Sequence, residues 1–160
     1  ELYHSKCTAM HHFMALRHGK VICECNLAPY PGGMWHFTHS MSTRITGLAV
    51  GLLIELGMLR LDVNIYDIFP YKINSLLKIF RPVITVENLL TMSSGITFNE
   101  SGIVSGNDWV ASYLNSTVNG TTGQIFQYNS LNTYMLSAII TKRTGETLTE
   151  YLKPRLFQAR

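Results

Sequence analysis

The stretch from Ser42 to Met58 constrains the fold more than any other part of the sequence. Its apolar residues recur at helical spacing and together cover most of the helix circumference: Ile45, Leu48, Ala49, Val50, Leu52, Leu53, Ile54 and Leu56. A helix that is apolar on most sides is typical of the middle of a core, so we predict a central helix here. The stretch is interrupted by Glu55 and is shorter than the roughly 20 residues of a membrane span, so no span is expected.

The composition is that of a core-rich globular protein. Hydrophobic residues make up 46% of the 160 residues and charged residues 14%, which excludes a disordered chain. The net charge of +3 comes from dispersed lysines and arginines. Because no basic stripe interleaved with aromatic residues is present, we expect no nucleic-acid partner. The opening residues, Glu1 to His4, lack the pattern of a signal peptide, and the sequence leaves the compartment unknown.

The remaining segments predict a β-hairpin followed by helices. Phe13 to Arg17 and Val21 to Cys25 are strand-like and flank a turn at Gly19, and Asn26 to Gly33 is rich in proline and glycine, as loops are. Further helical segments are predicted at residues 63–69, 85–92, 108–114, 130–144 and 148–157, and polar loops at residues 99–107 and 115–123.

The predicted fold class is therefore mixed α/β (α+β), with no strand after the hairpin. We expect one domain over residues 1–160, formed by a hairpin and loop over 1–33 and a mostly helical region over 34–160. In the helix at 130–144, the predicted core stripe consists of Tyr134, Leu136, Ile139 and Ile140.

Cysteines and histidines do not form a recognisable metal motif. Cys7, Cys23 and Cys25 lack zinc-site spacing, and the last two are predicted to share one face of a strand as a buried thiol pair. His11 and His12 are adjacent on a strand, where neighbouring side chains point to opposite faces. We therefore expect no metal site and no cofactor.

Ser40 lies at the start of the apolar helix and is the candidate nucleophile. A nucleophilic serine needs a helix-start position, where backbone N–H groups favour a developing oxyanion, and it needs a base within reach. By itself, a serine before an apolar helix is far more often an N-cap residue.

Four stretches of the chain resemble, in the same order, those of the serine β-lactamases and penicillin-binding proteins, in particular the relatives of the class C β-lactamases. Residues 36–53, which include Ser40, resemble the stretch S-x-S-K-S-F-T-S-L-A-V-G-L, and residues 55–62 resemble its continuation E-x-G-x-L-x-L-D. Residues 85–96 are similar to I-T-V-x-x-L-L-T-H-T-S-G-L, and residues 126–130 to F-x-Y followed by two Ser or Asn positions.

The resemblance implies an active site between a sheet-containing and a helical region. Ser40 would attack the carbonyl of an amide or ester of a small molecule or peptide, forming an acyl-enzyme that water hydrolyses. Tyr128 would relay a proton, which for a phenol requires a nearby cation to lower the pKa from about 10. Ser130 and Asn129 would bind the substrate. The alternative for Tyr128 is a buried aromatic residue with a satisfied hydroxyl.

Two departures from the family pattern bear on catalysis. The lysine of S-x-x-K, one helical turn after the serine, is replaced by Thr43, which cannot act as a base. Arg44 stays protonated, and His39 or His36 could act only if it reached Ser40, although His39 is expected to point elsewhere. The family's third motif, Lys-Thr-Gly or His-x-Gly on a later strand, and the strands that would pair with the hairpin are missing before Arg160.

Three functions remain open from the sequence. The chain is a serine hydrolase whose activity is reduced or is completed by residues outside it, a non-catalytic relative that binds a ligand, or a scaffold that associates through the open edge of the hairpin. A fragment, a degraded copy and a chain that needs a partner are all consistent with the missing motif. Three Asn-x-Ser/Thr triplets, at Asn99, Asn115 and Asn119, permit glycosylation if the protein is secreted.

Overall fold

The computed structural model describes residues 10–97 and 106–158. Backbone contacts divide the chain into two compact units, of which the first ends at Thr38 and the second begins at His39. The division falls after Thr38 rather than after Gly33 because His36 belongs with the hairpin. Its Nδ1 atom lies 3.2 Å from Nδ1 of His11, and both rings pack with Tyr30. That the chain forms one domain stays a prediction.

The first unit is an antiparallel hairpin of strands β1 (His12–Arg17) and β2 (Lys20–Asn26). His18 and Gly19 connect them, and both have positive φ angles, 49° and 74°. Positive φ at both central residues is the condition of the type I′ turn, whose twist matches that of a two-stranded ribbon. The hairpin predicted around Gly19 is confirmed, and among the described residues the sheet has two strands.

The cysteines of β2 share one face of the strand, as predicted, but they are not buried. Cys25 pairs with Phe13 and Cys23 with Ala15, two residues apart in register, and both thiols are free and exposed. The prediction of a buried thiol pair is wrong because every residue of β2 is exposed. Cys7 lies outside the described residues.

The second unit is helical. Its helices are α1 (Ser42–Glu55), α2 (Ile65–Ile68), α3 (Ser75–Phe80), α4 (Val86–Leu90), α5 (Trp109–Asn115), α6 (Ser130–Thr144) and α7 (Leu148–Leu152). A turn of 3₁₀-helix, His39–Met41, leads into α1, and a π-helical turn, Lys153–Phe157, follows α7. None of the helices in the described ranges is long and apolar enough to cross a membrane. The predicted loop at 99–107 falls mostly outside the described residues.

Side-chain caps explain where most of these helices begin. Each helix from α2 to α7 starts at a residue whose side-chain oxygen accepts a hydrogen bond from a backbone N–H of the first turn: Asn64, Asn74, Thr85, Asp108, Asn129 and Thr147. Thr85 and Thr147 form reciprocal capping boxes with the residue three positions later. Helix α1 differs, because Met41 occupies its N-cap position and provides no side-chain hydrogen bond.

The core of the second unit lies between α1, α4, α6 and α7. Helix α1 contributes Ala49, Val50 and Leu53, all fully buried, and α6 contributes Met135 and Ile139. The expectation that α1 is apolar and buried on most sides is only half correct. Leu48 and Leu56 are 56% and 60% exposed, because the described elements pack against one face of the helix.

The predicted core stripe of α6 contains one error. Leu136, Ile139 and Ile140 are buried, but Tyr134 is 37% exposed. Tyr134 lies on the same helical face as Ser130, one turn earlier, and that face is turned away from the core.

Candidate active site

Ser40 lies in the 3₁₀ turn that leads into α1 and is exposed. Its backbone carbonyl accepts a hydrogen bond from the Thr43 hydroxyl at 2.7 Å, and the carbonyl of His39 accepts one from the Ser42 hydroxyl at 2.9 Å. These two bonds connect the first residues of α1 to the turn and stabilise it. His39 adopts a left-handed conformation with φ of 43°. Ser40 therefore precedes the N-cap position and does not cap α1 itself.

The side chain of Ser40 opens into a cavity of about 360 Å³ in the second unit. Four of the residues singled out in the sequence line this cavity: Ser40, Thr43, Tyr128 and Ser130. Its remaining wall is formed by His39, Ser42, Thr46, Thr133, Tyr134 and Ser137. Residues that are 90 positions apart in the sequence therefore meet at one site, because α1 and α6 pack side by side.

Tyr128 is positioned by the segment that precedes α6. The backbone N–H of Gln127 donates to the carbonyl of Met92 at 2.7 Å, and that of Gly123 donates to the carbonyl of Ser93 at 2.8 Å. The segment is thereby tied to the residues after α4. Tyr128 is 39% exposed, so it is not the fully buried aromatic residue that we considered as the alternative.

Asn129 does not line the cavity. It is fully buried, its Oδ1 accepts from the N–H of Leu131 at 2.9 Å, and its Nδ2 donates to the carbonyl of Ile96 at 2.7 Å. Both ends of the carboxamide are thus engaged within the protein. Asn129 caps α6 and joins it to the segment after α4, and its predicted contact with substrate stays a prediction.

The cavity contains no charged side chain of the kind that usually activates a serine. Its described lining includes neither a carboxylate nor a lysine or arginine, and the side chains that could transfer a proton are His39, Tyr128 and Tyr134. His39 is among the residues that line the cavity, and the expectation that its side chain points away from Ser40 stays a prediction. His36 belongs to the first unit, where it contacts His11.

A second cavity, of about 570 Å³, adjoins the first and shares Thr43, Tyr128 and Thr133 with it. Its other walls are mainly apolar, from α1, α4 and α6, and Arg44 provides its one charged side chain. Arg44 therefore lies on the far side of Thr43 from Ser40. The sequence suggested neither this cavity nor the polar residues Thr46, Thr133 and Ser137, which carry no motif.

Within residues 10–97 and 106–158, no group of three or more His, Cys, Asp or Glu side chains is close enough to hold a metal ion. His11 and His12 diverge as strand geometry requires: His11 contacts His36, and His12 contacts Asn26 and Glu24.

Solved structures with the same fold include several hydrolases and penicillin-binding proteins. EstCE1, a hydrolase with promiscuous acyltransferase activity, is 22% identical, with a TM-score of 0.72 over 92% of this chain and 45% of its own. A D-stereospecific amidohydrolase from Streptomyces sp. is 17% identical, with a TM-score of 0.59 over 77% of this chain and 41% of its own. A penicillin-binding protein homologue from Caulobacter crescentus is 19% identical, with a TM-score of 0.58 over 74% of this chain and 33% of its own.

The chain thus spans less than half the length of these structures. They confirm the predicted fold class, a partial α+β fold that consists of a hairpin and a mostly helical region. No curated protein sequence matches the chain significantly. The sequence profile of the Beta-lactamase family matches residues 13–159, nearly the full length. The chain belongs to the Beta-lactamase family.

Proposed function

We propose that the chain carries the acylation site of a serine hydrolase that acts on an amide or ester of a small molecule or peptide. The observation that carries the proposal is the cavity in which Ser40, Thr43, Tyr128 and Ser130 meet. By their resemblance to the family's motifs, these residues would take the positions of the nucleophile, of its lysine partner and of the tyrosine motif. Membership of the family alone does not assign the chemistry, because a fold hosts many functions.

The reaction has two steps. Oγ of Ser40 attacks the substrate carbonyl carbon and a new C–O bond forms, while the hydroxyl proton passes to a base in the cavity. The C–N or C–O bond to the leaving group then breaks, and the leaving amine or alcohol receives a proton. Water next attacks the acyl-enzyme, releases a carboxylic acid and restores the hydroxyl of Ser40.

The start of α1 supports this role for Ser40. An α-helix leaves the N–H groups of its first turn without intrahelical partners, and these donors favour negative charge nearby. Helices α2 to α7 satisfy one of these donors with a side-chain cap, but α1 does not. Ser40 precedes this uncapped terminus, where a developing oxyanion can accept hydrogen bonds.

Replacement of the motif lysine by Thr43 slows the acylation of Ser40 rather than abolishing it. The Thr43 hydroxyl donates to the Ser40 carbonyl and so stabilises the turn, but it neither accepts the nucleophile's proton nor supplies positive charge. A positioned general base contributes roughly 10²–10⁴-fold to such reactions. We therefore expect slow acylation of Ser40, with His39 and Tyr128 as the groups that transfer protons.

The related structures support amides and esters as the substrate class. One is an amidohydrolase and another a hydrolase with acyltransferase activity, and both share this chain's fold. The competing proposal is a non-catalytic relative that keeps the cavity and binds an acyl ligand. The replacement at Thr43 is the observation that favours it.

Acylation of Ser40 separates the two proposals. The chain is incubated with a penicillin and, separately, with p-nitrophenyl acetate, and its intact mass is recorded over time. We expect an acyl adduct on the parent chain that is absent from Ser40→Ala and retained by Ser137→Ala. Ser137 is the matched control because it is a serine that lines the same cavity but lies on α6, away from the turn that holds Ser40.

Two outcomes would decide against catalysis. An adduct that persists in Ser40→Ala would place the reactive group elsewhere. No adduct on the parent or on Thr43→Lys, with circular dichroism showing folded chains, would leave the ligand-binding relative as the better account.

A further inference from the structure

A polar stripe runs along one face of α6, away from the core. Ser130, Tyr134, Ser137 and Thr141 follow one another at intervals of four, three and four residues, the spacing of one helical face. None of the four is buried, whereas Met135 and Ile139, on the opposite side of the helix, are. Polar residues on the outer face of a core helix indicate that this face contacts solvent or a ligand.

The stripe connects two cavities. Ser130, Tyr134 and Ser137 line the cavity that contains Ser40, and Tyr134 and Ser137 also line a further cavity of about 330 Å³. This further cavity has mainly apolar walls, Phe69, Val110 and Ala138, and it ends at Thr141 and Lys142. We call the continuous surface from Ser40 to Lys142 the α6 groove.

Aromatic rings form the middle of the α6 groove. The rings of Tyr134 and Trp109 are 5.3 Å apart and inclined at 57°, a usual aromatic pair geometry. Trp109 is 41% exposed, so it is accessible beside the groove. This arrangement offers apolar contact to a chain that passes along the helix.

Lys142 provides the charge at the far end of the α6 groove. Other lysines near it are already paired: Lys72 with Asp108, and Lys78 with Asp67 at 2.8 Å. Within the described ranges, no carboxylate lies at ion-pair distance from Lys142. Lys142 also lines a neighbouring cavity of about 310 Å³ that shares Phe69 with the groove, and the carboxylate in that lining, Asp67, is paired with Lys78.

We propose that the α6 groove is the acyl-arm subsite of this site and selects substrates whose acyl chain ends in a carboxylate held by Lys142. The proposal rests on the proposed function, because the carbonyl at the other end of the arm would lie at Ser40. The helix rises about 1.5 Å per residue, so Tyr134 and Lys142 are roughly 12 Å apart along α6. That distance corresponds to about four extended residues or an alkyl chain of similar reach.

Binding of an arm-length anion tests the α6 groove without requiring catalysis. The probes are N-methylsebacamate, which carries a terminal carboxylate on a ten-carbon chain, and N-methyldecanamide, its neutral counterpart. Binding is measured by Trp109 fluorescence in a chain with Ser40→Ala, which removes acylation, and Trp35→Phe, which removes the other tryptophan. Trp35 is 98% exposed, so its replacement leaves the packing intact.

We expect N-methylsebacamate to bind about three- to fivefold more tightly than N-methyldecanamide, the effect of one exposed ion pair. Lys142→Gln should abolish this difference and Lys142→Arg should keep it. Arg143→Gln, the matched control at the next position of α6, should also keep it. Equal affinity for the two probes, no binding of either, or a difference that survives Lys142→Gln would overturn the proposal.

The outcome is independent of the acylation test. The acetyl group has no arm, so p-nitrophenyl acetate can acylate Ser40 even where N-methylsebacamate does not bind, and then the subsite alone fails. If N-methylsebacamate binds in the expected manner and no ester acylates the parent chain, the subsite stands and the hydrolase proposal fails.

Discussion

Replacement of Asn129 by alanine is predicted to destabilise the protein well beyond the loss of a helix cap. The side chain is fully buried and makes two bonds, to the N–H of Leu131 and to the carbonyl of Ile96. Loss of an N-cap costs about 0.5–2 kcal/mol. A buried carbonyl deprived of its donor costs about 1–3 kcal/mol more.

The expected decrease in the free energy of unfolding for Asn129→Ala is therefore about 1.5–5 kcal/mol. Asn74→Ala is the matched control, because Asn74 also caps its helix, at 2.9 Å from the N–H of Leu76, but is exposed. That substitution should cost only about 1 kcal/mol. Asn129→Ser should fall between the two, because serine can cap α6 but cannot reach Ile96.

Urea unfolding followed by far-ultraviolet circular dichroism measures these differences, with the dependence on urea expected to be the same in all variants. Equal costs for Asn129→Ala and Asn74→Ala would refute the reasoning from burial. A stable Asn129→Ala chain that has lost ligand binding would instead restore the predicted contact between Asn129 and substrate.

Three further predictions concern packing and charge. Gly95 has a positive φ of 75°, which alone would cost an alanine roughly 1–2 kcal/mol. Gly95→Ala should destabilise the protein by more than this, because the new Cβ would lie 2.8 Å from the carbonyl oxygen of Gly120. Gly95→Asn should lower the Tm in thermal unfolding at least as much. Leu53→Ala should cost about 2–5 kcal/mol in urea unfolding, since Leu53 is fully buried in α1. Lys72 holds the pKa of Asp108 below its ordinary value of 3.8, so the ionised Asp108 stabilises the protein above that value and this contribution is lost as pH falls through the lowered pKa. Asp108→Asn keeps the helix cap but removes the charge. The loss of Tm between about pH 6 and pH 3 should therefore be smaller in Asp108→Asn than in the parent chain.

Local signals in the sequence predicted most of the helices and the hairpin. The cap at Thr85, the glycine of the hairpin turn and the helical spacing of Leu136 and Ile139 each reflect a preference of the backbone or of burial that acts over a few residues. The helix at Ser75–Phe80 was missed, because none of its residues is buried and so no core stripe marks it.

The errors concern what covers each element. Leu48 is hydrophobic and Cys23 lies in a strand pattern typical of buried positions, yet both are exposed. Their burial depends on which elements pack against them, and the local sequence does not indicate this. Tyr134 was assigned to the core as part of a helical stripe with Leu136, Ile139 and Ile140, although its spacing from Ser130 and Ser137 places it on the polar face of α6.

The candidate site was predictable only where a motif marks it. Ser40, Thr43, Tyr128 and Ser130 were found through the family resemblance, and they line one cavity. The position of His39 beside Ser40 depends on a 3₁₀ turn with a left-handed residue, which no spacing in the sequence indicates.

The rate at which p-nitrophenyl acetate acylates Ser40 in Thr43→Lys, relative to the parent chain, tests the central claim most directly. If Ser40 is a nucleophile that lacks only its base, a lysine one turn later should accelerate acylation by about 10²-fold or more, the contribution of a positioned base. The acceleration should disappear in the double variant with Ser40→Ala. Equal rates in Thr43→Lys and the parent, both folded, would contradict the claim that Ser40 is a nucleophile that lacks only its base.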